Sequence, residues 1–283
     1  MIFKLLNVTD LWPAVLAKSH QASQLKSIVW DEQPFRIVSD NNLQFYFKWV
    51  KNLAHKPRSE NLDEALYKTQ DPFLHIDSHL FIGHLSPDHQ LFLSKYSVLK
   101  QHLVLASIRY RQQGEPLTLA DHQAINLLLK SHKGLVIYNG GAHAGCSQMH
   151  KHMQFVPIHP PYKTLIDEAR SNAEPLSSGR LDIFRFKHRV TFLKGHESPS
   201  EILEIYHQML GQLALFEGDQ FTLAHNTLLT LKWLLIVPRS AASFKNIPIN
   251  AFAFSGLFFP KSTEAMNQLI QWGPMNVLQT VSC

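Results

Sequence analysis

Apolar residues recur at helical spacing in three segments of the chain. The segment 118–133 begins with Thr118 as a cap and ends before Gly134, and its predicted buried stripe is Ile125, Leu128 and Leu129. A second helix opens at Ser198-Pro-Ser-Glu201, a capping box with proline at the first helical position. Its predicted stripe, before a stop at Gly218, is Ile202, Ile205, Met209, Leu213 and Phe216. An amino-terminal helix within 10–28 would turn three apolar residues toward a core, namely Leu16, Leu25 and Ile28.

Apolar runs of strand length surround these helices. They lie at 35–38, 43–50, 90–96, 102–109, 135–138, 184–193, 222–231 and 233–237, the last two as a pair. Helices and strands alternate without a regular βαβ rhythm, which predicts an α+β fold with a largely antiparallel sheet. The polar stretch 51–72 is punctuated by proline and predicts a long mobile loop, and 161–179 is the best candidate for a boundary between two parts.

Composition narrows the functional class. The 283 residues are 45% hydrophobic and 17% charged, as in an ordinary soluble enzyme, and the net charge of +5 favours anionic ligands. Because no Lys/Arg cluster or basic-aromatic repeat stands out, a small anion is a better partner than nucleic acid. Cys146 and Cys283 form no disulfide framework, and neither a signal peptide nor a membrane-spanning run is present. A soluble protein of the reducing cytoplasm is therefore expected, with no membrane partner.

The segment with the most specific chemistry is His150-Lys151-His152-Met153-Gln154. A strand-like run and a loop of small residues, 139–149, precede it, and 155–158 continues it as a strand. Because alternate side chains of a strand share a face, His150, His152 and Gln154 should project together beside the glycines of the loop. Backbone N–H groups of such a loop bind anions, so this arrangement is suited to phosphate.

The motif alone leaves three interpretations open. In the first, the two histidines are packed or surface residues, as a lone His-x-His often is. A metal site would need a further ligand, but Val156 and Pro157 stand where a carboxylate is wanted and Gln154 is a poor zinc ligand, so no metal is predicted. The third interpretation is nucleophilic attack by a neutral imidazole on a phosphoryl or nucleotidyl group. Loop amides, Ser147 and Gln154 would then hydrogen-bond the phosphate oxygens.

The stretch 138–154 resembles the active-site segment of the diadenosine tetraphosphate (Ap4A) phosphorylases, also called ATP adenylyltransferases, in the histidine-triad superfamily. Further segments resemble the family in the same order, at 52–57, 89–105, 226–240 and 250–256. The resemblance implies a histidine-triad-like antiparallel sheet with flanking helices, extended by a carboxy-terminal α+β part. Residues 1–165 would form the catalytic part, and residues 166–283 would form the adenylyltransferase part, packed with the first as one compact unit.

The resemblance also implies a reaction. His152 would attack the α-phosphorus of a diadenosine polyphosphate and carry AMP, inorganic phosphate would accept it, and the products would be ADP and ATP. Gln154 stands where hydrolytic relatives carry a third histidine, which implies transfer rather than hydrolysis. No tightly bound cofactor is implied, although Mg²⁺ or another divalent cation would accompany the polyphosphate. His150 would position or hydrogen-bond rather than attack.

The remaining site residues are carried over from the family. Lys56 and Lys95 would bind phosphate, with Ser94 in place of the usual asparagine. The cradle around the reacting phosphate would consist of Asn139, Gly145, Cys146, Ser147 and Gln148. Contacts to ribose or to a distal phosphate would come from Asn226, Thr230 and Lys232, whereas Trp233 and Arg239 would be structural. Two other functions stay open, a sugar-1-phosphate uridylyltransferase-like enzyme and a non-catalytic nucleotide sensor.

Overall fold

The computed structural model describes residues 5–28, 33–50, 71–171, 174, 176–217, 220–221 and 224–283. Numbered along the chain, the helices are α1 (Val8–Gln24), α2 (Leu119–Ser131), α3 (Lys163–Ser171), α4 (Pro199–Gln212), α5 (Ala251–Phe254), α6 (Thr263–Trp272) and α7 (Pro274–Val281). The strands are β1 (Arg36–Asp40), β2 (Leu43–Phe47), β3 (Phe81–Ser86), β4 (His89–Leu93), β5 (Leu103–Ser107), β6 (Leu135–Gly140), β7 (His152–Val156), β8 (Ser178–Gly179), β9 (Arg189–Phe192), β10 (Phe216–Glu217), β11 (Gln220–Phe221), β12 (His225–Leu229), β13 (Trp233–Pro238), β14 (Ser243–Phe244), β15 (Ile247–Pro248) and β16 (Leu257–Phe258).

A nine-stranded sheet forms the centre of the fold, with the order β3-β4-β5-β7-β6-β12-β13-β9-β8. Every neighbouring pair in it is antiparallel, which confirms the predicted fold class. β6 pairs with β7 on one side and with β12 on the other, where Asn139 lies opposite Asn226. The sheet therefore runs across the predicted division at residues 165 and 166. Among the described helices, none combines the length and apolar character needed to cross a bilayer.

The two faces of the sheet bury different layers. On one face, Met153 and Phe155 of β7 and Tyr138 of β6 share a core with apolar residues of α1, α2 and α4. The alternate residues of the same strands face a second layer, built from the small sheet β1-β2-β16 and from α5, α6 and α7. His152 and Gln154 alternate with Met153 and Phe155, so they point toward this second layer. The candidate motif consequently lies on the face of the sheet that carries the carboxy-terminal elements.

The amino-terminal helix is present, but its predicted apolar face was wrong. Leu16 and Leu25 are 47% and 51% exposed, and only Ile28 of the predicted trio is buried. The buried stripe of α1 is Leu11, Val15, Ser19 and Ala22. This stripe follows the i, i+3 and i+4 spacing of one helix face, and Leu16 lies about 100° around the helix from Val15.

The predicted cap at Thr118 and the predicted capping box at Ser198 with Glu201 are confirmed, and Thr118 also forms a capping box with Asp121. In α2 the predicted stripe is buried as expected, and the helix ends at Ser131. α4 is shorter than predicted, because it ends at Gln212 and Ala214 adopts a left-handed φ of 54°, well before Gly218. Gly218 lies outside the described residues, and the buried face of α4 centres on Tyr206, Met209 and Leu210 rather than on Ile202 and Ile205.

His188 makes the stability of the fold depend on pH. Its buried ring donates from Nδ1 to the carbonyl of Phe186 (2.8 Å) and accepts at Nε2 from the amide of Leu181 (2.9 Å). Burial lowers the pKa of His188 to about 4, below the unfolded value of about 6.5. The unfolded chain therefore binds the proton first as pH falls, so the free energy of unfolding should decrease between pH 6.5 and 4.

Urea unfolding at pH 7 and pH 5 tests this dependence. The variant His188→Gln should show a smaller decrease between the two pH values than the wild type, and the exposed control His20→Gln should show the wild-type decrease. Equal decreases in all three proteins would contradict the assignment.

Candidate active site

The loop between β6 and β7 requires glycine at Gly145. Its φ is +81°, and a Cβ atom there would lie 2.3 Å from the carbonyl oxygen of Ile249. A short 3₁₀ helix, Ala142–Ala144, precedes this glycine, and Gly141 before it also has a positive φ. The loop therefore packs directly against the carboxy-terminal segment that contains Ile249.

Replacement of Gly145 by alanine should separate these two segments. We expect a loss of about 1–3 kcal/mol in the free energy of unfolding and a lower activity, since both the positive φ and the close approach become strained. Denaturant unfolding together with the rate assay described below measures both effects. Gly211→Ala is the matched control, because Gly211 lies in α4 with open space around it and alanine favours a helix. Equal stability of the two variants would contradict the argument.

His152 is the first residue of β7, and its ring is held in one tautomer. Nδ1 lies 2.8 Å from the backbone carbonyl of His150. A carbonyl only accepts, so Nδ1 carries the proton and Nε2 of the neutral ring carries the lone pair. Gln113 holds the backbone at this point, accepting from the amide of His152 (2.7 Å) and donating to its carbonyl (3.1 Å). Gln113 was missed by the sequence analysis, because no local pattern marks it.

His150 lies on the same side but has no exposed surface. Its Nδ1 is 2.5 Å from a carboxylate oxygen of Asp71, and its Nε2 is 2.8 Å from the carbonyl of Ser107 and 2.9 Å from that residue's hydroxyl. The ring of Phe73 contacts His150 and His152 edge to face, with centroids 5.6 and 5.0 Å away. The shared contact with Phe73 places both imidazoles on one side of the strand, as the motif predicted.

The amide of Gln154 is oriented by His102. The amide N–H of Val98 donates to Nδ1 of His102 (3.4 Å), which leaves the proton of the neutral ring on Nε2. This Nε2 lies 2.9 Å from Oε1 of Gln154, which therefore accepts. The NH₂ group of Gln154 is consequently the side of the amide that remains for an acceptor such as a phosphate oxygen.

Asn139 and Asn226 are hydrogen-bonded to each other and to the segments around the loop. Oδ1 of Asn139 accepts from Nδ2 of Asn226 and from the amide of Ala251, both at 2.9 Å. Nδ2 of Asn226 also donates to the carbonyl of Ala144 (2.9 Å). Both side chains are buried, so these bonds tie β6, β12, the loop and the start of α5 together. Their predicted contacts with a ligand stay predictions.

The buried guanidinium of Arg239 completes this network. It donates to Oδ1 of Asn226 (2.5 Å) and to four backbone carbonyls, those of Ala144, Ala241, Ile249 and Val281. Burial lowers the pKa of Arg239 to about 9, which leaves it charged at neutral pH. The structural role predicted for Arg239 is confirmed.

A cavity of about 240 Å³ lies between this face of the sheet and the carboxy-terminal layer. Of the predicted site residues it is lined by Asn139, Gly145, Ser147 and Gln154. Residues that the sequence analysis did not assign also line it, and they include Tyr96, His102, Asn246, Asn250, Phe252 and Lys261. His152 is two residues before Gln154 on the same face and is only 5% exposed, so the cavity lies beside the motif rather than directly over its ring.

Other predicted residues lie elsewhere. Thr230 and Lys232 form the turn between β12 and β13, at the opposite end of β12 from Asn226, and they line a separate cavity. Ser94 is buried at the end of β4, and Lys95 beside it is exposed. Cys146 and Gln148 are half-buried in the glycine loop. The predicted phosphate ligand Lys56 and the predicted mobile loop, except for its last two residues, lie outside the described residues.

Lys151, between the two histidines, points to the opposite face of the sheet. Its ammonium is fully buried and contacts Asp121 Oδ2 (2.8 Å) and the carbonyl of Pro116 (2.7 Å). Burial alone would raise the pKa of Asp121, but hydrogen bonds from His89 and Lys151 hold it well below its usual range. The ion pair therefore fixes the motif to the amino-terminal end of α2. Within the described part of the chain, no three His, Cys, Asp or Glu side chains converge to form a metal site.

Comparisons with known proteins agree with the resemblance seen in the sequence. Residues 3–167 match the model for the Ap4A phosphorylase N-terminal domain, and residues 183–283 match that for the ATP adenylyltransferase C-terminal domain. The chain is 28% identical to diadenosine 5',5'''-P1,P4-tetraphosphate phosphorylase 2 of Saccharomyces cerevisiae over 265 residues, which cover 81% of this chain and 79% of the relative. It is 25% identical to Protein APA1 of the same organism, with the same shares covered.

Solved structures share the fold. Yeast Ap4A phosphorylase Apa2 in complex with Ap4A superposes with a TM-score of 0.79 at 22% identity, covering 99% of this chain and 98% of that one. The complex of Apa2 with AMP gives a TM-score of 0.78 at 23% identity, with the same shares covered. With both family models matched in order along the chain, this protein belongs to the Ap4A phosphorylase family.

Proposed function

We propose that this protein is a nucleotidyltransferase that phosphorolyses Ap4A to ATP and ADP through an adenylyl group carried on His152. The observation that carries the proposal is the tautomer of His152. Its Nδ1–H is fixed on the carbonyl of His150, so the lone pair is on Nε2, on the face of the sheet where Gln154 meets the cavity. Family membership and the printed activity of the yeast relative support the choice of substrate.

In the first step, Nε2 of His152 forms a bond to the α-phosphorus while the bond from that phosphorus to the bridging oxygen breaks. ATP leaves and AMP stays on the ring. The ring becomes positively charged, and the bond from Nδ1–H to the His150 carbonyl stabilises this charge. In the second step, an oxygen of inorganic phosphate attacks the same phosphorus and the Nε2–P bond breaks. ADP leaves, and at neutral pH the overall reaction releases one proton.

Gln154 and the loop would stabilise the charge that develops on the phosphate. The amide NH₂ of Gln154, oriented by His102, and the hydroxyl of Ser147 both line the cavity. An amide can donate a hydrogen bond but cannot remove a proton from water, so Gln154 offers no general base for hydrolysis. The near-complete burial of His152 also limits the access of water to the adenylylated ring. Both features favour transfer to phosphate.

A divalent cation would enter with the substrate. The described residues that line the cavity include amides, a histidine and a lysine but no carboxylate, and Mg²⁺ prefers oxygen ligands, with carboxylates foremost. Such an ion would therefore be held mainly by the polyphosphate, where it screens the negative charge.

The test combines turnover with trapping of the intermediate. With Ap4A and inorganic phosphate, chromatography should show ADP and ATP in equal amounts. With Ap4A alone, intact-mass measurement should show one added AMP, located by peptide mapping on His152. Release of AMP to water would overturn the transfer mechanism. Turnover of a uridine diphosphate sugar in preference to Ap4A would favour a uridylyltransferase, and binding of Ap4A without turnover would favour a sensor.

A further inference from the structure

Asp71 lies next to the motif and has no role in the mechanism above. It is 1% exposed and belongs to neither a helix nor a strand. One carboxylate oxygen accepts from the backbone amide of Phe73 (2.9 Å), and the other lies 2.5 Å from Nδ1 of His150. The same carboxylate thus fixes a tight turn and contacts the ring of a motif residue.

The partners of His150 fix the orientation of its ring. Nδ1 faces the carboxylate of Asp71, and Nε2 faces the backbone carbonyl of Ser107 at 2.8 Å. The carboxylate has no hydrogen to donate, so Nδ1 carries a proton and donates it to Asp71, while the hydroxyl of Ser107 also lies 2.9 Å from Nε2. Because both nitrogens of this buried ring are bonded, the ring cannot turn without losing a hydrogen bond.

Asp71 is connected to the proposed nucleophile His152 through residues that contact both of them. His150 lies outside β7, and its carbonyl is the group that holds Nδ1–H of His152. The turn fixed by Asp71 also carries Phe73, whose ring lies against both imidazoles. Asp71 therefore acts on His152 along two paths, through the His150 ring and through the Phe73 ring.

We propose that Asp71 is a positioning residue for catalysis: it locks His150 and Phe73 so that the ring of His152 keeps its Nε2 aimed at the substrate phosphorus. This inference rests on the proposed function of His152. Asp71 contacts the His150 ring, and its described bonds reach no residue that lines the cavity, so its loss should slow adenylyl transfer with little change in substrate binding.

The variants Asp71→Ala and Asp71→Asn test the proposal. Alanine removes both acceptors and should lower kcat by about 100-fold, the scale expected when a reacting group is misplaced by about 1 Å, with KM for Ap4A changed less than about 3-fold. Asparagine can keep its oxygen on the Phe73 amide while its NH₂ faces His150, so we expect a smaller loss, about 10-fold. If the alanine variant does not fold, the asparagine variant carries the test.

Asp77→Ala is the matched control. Asp77 accepts from the amide of His79 (2.8 Å) in a turn of the same kind, but it is exposed, and its described side-chain bond does not involve the motif. Its kcat should stay within about 2-fold of the wild type. Rates are expressed per folded protein, at a temperature where circular dichroism shows all variants folded. A kcat for Asp71→Ala within about 3-fold of the wild type, or a change in KM alone, would overturn the proposal.

A second measurement separates failure of this inference from failure of the proposed function. Nitrogen-15 NMR of the histidine rings should show a protonated Nδ1 on His150 in the wild type and an unprotonated Nδ1 in Asp71→Asn, where the new NH₂ group donates to it. His152 should show protonated Nδ1 in the wild type. These signals need no substrate, so they hold even if Ap4A is not turned over. An unprotonated Nδ1 on His150 in the wild type would contradict its hydrogen bond to Asp71.

Discussion

His152→Ala is expected to abolish the covalent AMP adduct and to lower kcat for Ap4A phosphorolysis by at least about 10⁴-fold, the scale seen when an enzyme loses its nucleophile. The tautomer of His152 puts the lone pair of its ring on Nε2, whereas both ring nitrogens of the fully buried His150 are bonded to Asp71 and Ser107. Initial rates and intact-mass measurement in the absence of phosphate check the two outcomes.

The matched control is His143→Ala. His143 is an exposed histidine of the same loop and should keep wild-type activity and the AMP adduct. Retention of the adduct by His152→Ala would place the adenylyl group on another residue and would remove the basis of the proposed mechanism. Loss of activity in both variants would point to the integrity of the loop rather than to the nucleophile.

Arg239→Met is expected to lower the free energy of unfolding by about 3–5 kcal/mol, as when one member of a buried charged network is removed. Methionine fills part of the volume but leaves the Asn226 amide oxygen and four backbone carbonyls without their donor. Two of these carbonyls, at Ala144 and Ile249, belong to the loop and to the segment that faces it. Activity at low temperature should therefore fall together with stability.

Denaturant unfolding with circular dichroism measures the effect of Arg239→Met, and Arg185→Met serves as the control because Arg185 is exposed. We expect the control to change the free energy of unfolding by less than about 0.5 kcal/mol. A loss below about 1 kcal/mol for Arg239→Met would show that the network contributes little.

Local signals in the sequence were sufficient for parts of the fold. Thr118 and Ser198 start their helices as predicted, because a cap depends on residues only three positions apart. The alternation at 150–154 likewise placed His152 and Gln154 on one face. The phase of α1 was wrong, since an amphipathic pattern with exposed Leu16 and Leu25 does not reveal which side the sheet will cover.

The partners of the site could not be predicted in the same way. Asp71, His102 and Gln113 contact the motif across 39 to 79 positions of sequence, and their placement depends on strand register that no local pattern encodes. Asn139 and Asn226 show a second limit of the sequence, because a side-chain amide can bond a phosphate or a peptide group equally well. In this fold their amide groups bond buried peptide groups of the loop and of α5.

The position of β6 has a consequence for how the chain reaches its native state. β6 becomes an interior strand only when β12, some 90 positions later in the sequence, pairs along it. During synthesis the first five strands of the sheet, β3 to β7, can associate early, yet β6 presents an open apolar edge until residues 225–229 leave the ribosome. Pairing between such distant segments makes folding slow. We therefore expect the nascent chain to need protection from aggregation until β12 has been made.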